Sequence, residues 1–174
     1  MIHLKQKTAF ITGGTKGIGF GIAQALLAQG VSVAITGRGQ DSVAQAVSAL
    51  QSHCKNSQVR GYCADVGSFE ALNGAAKAAI IDFGGVDLVV ANAGVGHFAP
   101  VHELTLAQWH ETIDTNLTGV FYTLKVFAEQ LIAHQGYFIS ISSLAGTNFF
   151  ATGSAYNASK FGVTGFTQAA MLDL

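Results

Sequence analysis

Apolar residues along this chain follow two rhythms that alternate from one end to the other. Short runs dense in β-branched residues, at Thr8–Thr12, Val31–Thr36, Gln58–Cys63, Val86–Ala91 and Gly136–Ser142, predict strands. Several of them are continuously apolar, which suits strands covered on both faces. Between them, stretches with helical spacing predict helices near 17–29, 40–52, 68–83 and 105–133, with a last one from about 154 to the end. In the first helix Ile18, Ile22, Ala25 and Leu26 form one apolar stripe, and Gly30 stands at the stop position. The βαβαβαβαβα order requires parallel strands joined by right-handed crossovers. It predicts an open, doubly wound parallel α/β sheet in three αβα layers. Ligands of such sheets bind beyond the carboxyl ends of the strands, where the strand order reverses.

Composition narrows the partners. A chain of 174 residues with a single proline, Pro100, and neither linker nor repeat makes one domain. Only 11% of residues are charged against 49% hydrophobic, so many faces are expected to be covered, subunit contacts of a homo-oligomer included. No apolar run reaches the roughly 18 residues of a membrane span, and Met1 to Lys7 carries no signal-type stretch. The expectation is a cytoplasmic protein. A net charge of −1 without a basic cluster argues against nucleic acid. Cys54 and Cys63 read as free thiols, and the six scattered histidines include no His-Glu-x-x-His pair, so no metal is expected.

The first candidate chemistry follows the first strand: Thr12-Gly13-Gly14-Thr15-Lys16-Gly17-Ile18-Gly19. Glycines also serve plain strand–helix turns. Between a first strand and a first helix they permit close backbone approach to a pyrophosphate, which the helix amides and dipole attract. The second strand ends Thr36-Gly37-Arg38, with no carboxylate before Asp41 to hold a ribose 2′-hydroxyl. Arg38, with Lys16 as a second cation, instead suits a 2′-phosphate, hence NADP(H). Either cation alone would otherwise be a solvated surface charge.

The second cluster is Tyr156-Asn157-Ala158-Ser159-Lys160. Residues four apart share a helix face, and an ammonium beside a phenol favours the phenolate needed for acid–base work. At the end of the last strand, Ser142 or Ser143 can hold a carbonyl or alcohol oxygen for that tyrosine; each is equally suited to a strand-end hydrogen bond.

These motifs together resemble the classical short-chain dehydrogenase/reductase family across essentially the whole chain. The turn Thr12-Gly13-x-x-x-Gly17-x-Gly19 is similar to its cofactor motif, with Thr15, Lys16 and Ile18 inside it. Asn92-Ala93-Gly94 resembles its Asn-Ala-Gly motif, although Ala91 stands where a second Asn is frequent. Tyr156-x-x-x-Lys160 resembles the catalytic signature, and Ser143, thirteen residues earlier, falls on the catalytic serine rather than Ser142. Asn116 falls on the fourth catalytic position, Asp65-Val66 on the pair at the adenine ring, and Arg38 on the basic residue of NADP-using members. The resemblance implies a Rossmann fold and a hydride moved between NADPH and a carbonyl or secondary alcohol, a ketone or 3-oxoacyl compound. Tyr156 would then transfer the proton and Ser143 hold the oxygen. Lys160 would bind the nicotinamide ribose, and Asn116 would hold a relay water through a local helix distortion.

The resemblance further implies later strands and a substrate-covering segment, whereas the sequence ends at Leu174 inside the last helix. A dinucleotide-binding module without turnover and an idle, partner-bound remnant are therefore the alternatives to a working reductase. Phe149-Phe150-Ala151 and His97-Phe98 read either as an apolar substrate wall or as core or interface aromatics. Asn116-Leu117-Thr118 and Asn157-Ala158-Ser159 fit a glycosylation pattern but fall within the expected site.

Overall fold

The computed structural model describes residues 4–53 and 58–174; the opening Met1-Ile2-His3 and the thiol of Cys54 lie outside the described residues. Five strands, β1 (Thr8–Ile11), β2 (Ser32–Gly37), β3 (Val59–Cys63), β4 (Leu88–Ala91) and β5 (Tyr137–Ser140), form one sheet in the order β3-β2-β1-β4-β5. Every pairing is parallel, with Thr8 opposite Ser32 and Ala9 opposite Leu88. The order reverses at β1, between β2 and β4, as expected of a doubly wound sheet. Strand ends fall within two residues of the sequence expectation.

Alternation along β1 splits the interior in two. Phe10 points to one face, where its ring lies 4.7 Å from that of Phe127 and packs among Leu72, Val89 and Leu124. Ala9 and Ile11 point to the other, against Ala23, Leu27, Ile35 and Leu50. The first face is covered by α3 (Phe69–Phe83) and α5 (Gly119–His134), the second by α1 (Gly17–Ala28) and α2 (Gln40–His53). A last helix, α6 (Ser154–Asp173), seats Val163 against Ala91 and Val120. Among the described residues no helix is long and apolar enough to cross a membrane.

Two expectations change. The fully buried positions of α1 are Gly19, Ala23 and Leu27; of the expected stripe, Ile22 and Leu26 pack partly buried against this core, while Ile18 is 66% exposed and Ala25 also faces outward. Small side chains let the helix approach the sheet, so the contact stripe is rotated from the bulkier residues. The expected helix over 105–133 is three pieces: α4 (Leu106–Ile113), a π-helical turn at Asp114–Thr118, and α5. The Gly119 amide donates to Asp114, five residues back, and this extra residue turns Asn116 inward.

At the opposite, amino-terminal edge, Asp87 fastens the strand starts. Its carboxylate accepts from Lys7 Nζ at 2.7 Å and from the Thr8 amide at 2.9 Å, while its own carbonyl accepts from the Tyr137 amide at 2.8 Å. Partial burial pushes the Asp87 carboxyl up, but the Lys7 and Thr8 hydrogen bonds outweigh it and hold it below the usual carboxylate value. A depressed carboxylate contributes stability above its unfolded pKa, about 3.9, and loses it as pH falls through the lower folded value. Asp87→Asn is accordingly expected to cost about 1–2 kcal/mol at neutral pH, leaving the Thr8 amide poorly paired. Urea denaturation should show the gap at pH 7 narrowing as pH falls below the ordinary carboxylate value of about 3.9.

Candidate active site

The carboxyl ends of the strands open into one cleft of about 630 Å³, a size typical of small-ligand sites. It runs from the loops after β3 and β2, past the turn after β1, to the ends of β4 and β5. Thirteen of the expected residues line it: Gly13, Thr15, Lys16, Gly17 and Ile18; then Arg38, Asp65 and Val66; then Asn92, Ala93 and Gly94; and, on α6, Tyr156 and Lys160. Gly19, Asn116 and Ser143 are off its wall, and their positions explain themselves differently.

The glycine turn is shaped by close contact. Gly13 has φ of +64°, and a Cβ there would sit 2.8 Å from the Ala93 Cα. A Cβ on Gly19 would strike the Asn92 side chain and the Gly13 carbonyl, so this glycine lets α1 approach from behind the wall. Asn92 seals the junction, its Nδ2 donating to the carbonyls of Thr12 (3.0 Å) and Gly13 (3.1 Å). In return the Thr12 hydroxyl accepts from the amides of Asn92 (3.0 Å) and Ala93 (3.1 Å). The motif includes Thr12, but its bonding to Asn92 and Ala93, 80 and 81 positions later, is not visible in the sequence. Lys16 is the N-cap of α1 without a side-chain cap bond, so the first amides of that helix remain available.

Asn116 is wholly buried in the π-turn, and its side chain is fully engaged. Its Oδ1 accepts from the Val95 amide (2.8 Å), and its Nδ2 donates to the Val95 carbonyl (2.8 Å) and to Ser159 Oγ (3.0 Å). Ser159 Oγ donates in turn to the Tyr156 carbonyl at 2.8 Å. One amide therefore fixes both the segment after β4 and the turn of α6 that bears Tyr156. Ser159 is a further residue that sequence reading missed.

Ser142 lines the cleft, yet its hydroxyl is turned toward α6, within 3.4 Å of the Lys160 carbonyl and 3.2 Å of Thr164 Oγ1. Ser143 caps a short 3₁₀ turn at Leu144–Gly146, accepting from the Ala145 amide at 3.1 Å. Its hydroxyl proton is left to donate elsewhere.

Tyr156 is flanked by Phe98, at 5.6 Å between ring centroids, and Phe150, at 6.5 Å. The two loops carrying these rings are joined where the Ala99 amide donates to the Thr152 carbonyl at 2.9 Å. Thr152 has φ of +65°, a strained conformation for a β-branched residue. Below the tyrosine, Lys160 Nζ lies 5.7 Å from the ring centroid and donates to the Ile141 carbonyl at 2.8 Å. Lys160 is only 4% exposed, and burial pulls its ammonium below the usual lysine value. A cation with a depressed folded pKa opposes folding fully below that value, and the penalty fades as pH rises toward the unfolded value near 10.4. Lys160→Met is therefore expected to keep or raise the melting temperature at pH 7. A fall of several degrees would mean that the Ile141 hydrogen bond outweighs the burial cost.

Of the remaining expectations, Cys63 is a free thiol, exposed and directed at the Arg38 carbonyl (3.1 Å). Arg38 does line the cleft but is not solvated alone: its Nη1 lies 3.1 Å from Glu111 on α4. Among the described residues, no group of three His, Cys, Asp or Glu is placed to hold a metal ion.

With this geometry in view, comparison with known proteins is consistent along the chain. Residues 7–174 match the family described as short chain dehydrogenase. The chain is 35% identical to D-beta-hydroxybutyrate dehydrogenase of Cupriavidus necator over 98% of its own length and 66% of that protein's. It is also 35% identical to acetoacetyl-CoA reductase of Paracoccus denitrificans, over 94% of this chain and 65% of the relative. An alcohol dehydrogenase from Thermococcus sibiricus, solved with 5-hydroxy-NADP, superposes with a TM-score of 0.92 at 32% identity, covering 96% of this chain and 71% of that one. A short chain dehydrogenase/reductase from Burkholderia phymatum, solved with NAD, superposes at 0.95 with 28% identity, over 100% of this chain and 62% of that one. The chain thus spans about two thirds of the length of the curated relatives it matches.

Proposed function

The chain belongs to the short chain dehydrogenase family, and we propose that it uses NADP(H) to interconvert a ketone and a secondary alcohol, with Tyr156 as the general acid and base. The observation that carries this reading is the end of the cleft, where Tyr156 stands over a buried ammonium. NADPH, when bound, supplies the hydride. Tyr156 donates a proton from its Oη to the substrate carbonyl oxygen, and takes one from the alcohol in the reverse direction. Ser143 holds that oxygen through its free hydroxyl proton. Lys160 spends one N–H on Ile141 and keeps two for the nicotinamide ribose. Asn116 braces Val95 and Ser159; the water of the proton relay is assigned to its π-turn rather than to its side chain.

The cleft fits a dinucleotide through the uncapped start of α1 and the close Gly13–Ala93 approach. The choice of NADP(H) rests on Arg38 and Lys16, with no acid at the end of β2. Phe98 and Phe150, packed on Tyr156 yet partly exposed, form the apolar wall of the substrate site.

Incubation with NADPH and a panel of ketones, diketones and 3-oxoacyl thioesters tests the reaction by loss of nicotinamide absorbance. Retained nucleotide binding without turnover on any of them would favour a binding module. Arg38→Ala is expected to weaken NADPH binding about tenfold or more, the loss of a charge-assisted pair, and NADH binding little. Equal effects on both would remove the 2′-phosphate assignment. A homo-oligomer is part of this reading, supported by the low charge content and the half-exposed Phe121 and Phe161; a monomer by sedimentation would remove it.

A further inference from the structure

Glu111 stands where an acid opposes the cofactor reading. It projects from α4, one helical turn before Thr115 on the cleft wall. Oε1 accepts from Arg38 Nη1 at 3.1 Å, and Oε2 lies 2.8 Å from His97 Nε2. A single carboxylate thus links the loop after β2 to the segment after β4, which carries Phe98 against Tyr156. His97 and then Arg38 hold that carboxyl below the usual glutamate range, so it stays ionised at working pH.

We propose that Glu111 is a cofactor-discriminating residue that competes with the nucleotide 2′-phosphate for Arg38. The proposal rests on the NADP(H) reading above. A guanidinium makes its strongest contacts to phosphate as a two-pronged fork. With one prong held by Glu111, Arg38 must exchange partners when a 2′-phosphate arrives. The released carboxylate then stands near a phosphate of like charge. A dinucleotide with a free 2′-hydroxyl demands no such exchange. Glu111 therefore lowers affinity for the phosphorylated cofactor selectively and narrows the preference that Arg38 creates. The pair is exposed, with side-chain accessibilities of 60% and 41%, so its effect is modest and sensitive to salt.

The test is a fluorescence titration of NADPH and NADH on the wild-type chain, Glu111→Gln, Arg38→Ala and the double variant. Glu111→Gln is expected to tighten NADPH about two- to fivefold and leave NADH unchanged. In the Arg38→Ala background the gain should vanish. Unchanged or weaker NADPH binding in Glu111→Gln overturns the proposal, as does equal tightening of both nucleotides. A gain that persists without Arg38 overturns the competition and leaves simple charge repulsion. If Arg38→Ala weakens both nucleotides alike, the 2′-phosphate reading itself fails and the proposal falls with it. If Arg38→Ala acts on NADPH alone while Glu111→Gln does nothing, only the role of Glu111 is lost.

Discussion

Tyr156→Phe is expected to lower kcat by about 10²- to 10⁴-fold on any substrate that responds, with dinucleotide affinity close to wild type. The substitution removes one oxygen and keeps the ring that packs against Phe98 and Phe150 at 5.6 and 6.5 Å. The apolar wall, the Lys160 bond to Ile141 and the rest of the cleft are untouched. A loss of rate can then be assigned to the proton rather than to a collapsed site. Steady-state rates together with nucleotide titration separate the two. Full activity in the variant would remove Tyr156 from the chemistry, and a parallel loss of nucleotide binding would make it a packing residue.

The largest expected effect on stability comes from Asn116→Ala. Three hydrogen bonds of a wholly buried side chain disappear together, leaving the part-buried Val95 amide and carbonyl without partners and the Ser159 hydroxyl with only its bond to the Tyr156 carbonyl. Each such buried group costs about 1–3 kcal/mol, and because the losses are not additive a total of about 3–4 kcal/mol is expected. That is a large share of the roughly 5–15 kcal/mol by which domains are stable. Urea denaturation would measure it. Activity should fall beyond what unfolding removes, because Val95 and the carbonyl of Tyr156 are held through the same amide. Wild-type stability in this variant would show that the bracing is idle.

How much of this was legible in the sequence depends on the range of each interaction. The strands could be read because burial on both faces leaves continuous apolar runs. The glycine turn and the Tyr156–Lys160 pair could be read because each lies within a few residues. The face of α1 was half read: Ile22 and Leu26 do pack on the core, but hydrophobicity also points to the exposed Ile18, whereas close approach to the sheet selects Gly19 and Ala23. The interruption of the long helix carries no proline, and the distortion at Asn116 was implied by the family resemblance rather than by any local signal. It arises where Asn116 turns toward Val95, 21 positions away. Glu111 shows the limit most clearly. Its partners are 73 and 14 residues distant, and nothing in its own neighbourhood separates it from any solvated acid on a helix.

The bonds between Thr12 and Asn92 have a further consequence, in time rather than in space. They join residues 80 apart in sequence, and β1 lies in the sheet between β2 and the much later β4. At a translation rate of about 5–20 residues per second, the first strand waits about 4–16 seconds for that neighbour to be made. Throughout that interval one apolar edge of the future central strand has nothing to pair with. Contacts of such long range also fold slowly once available. The cleft, whose lining runs from Gly13 to Lys160, can therefore form only after β4 has been made.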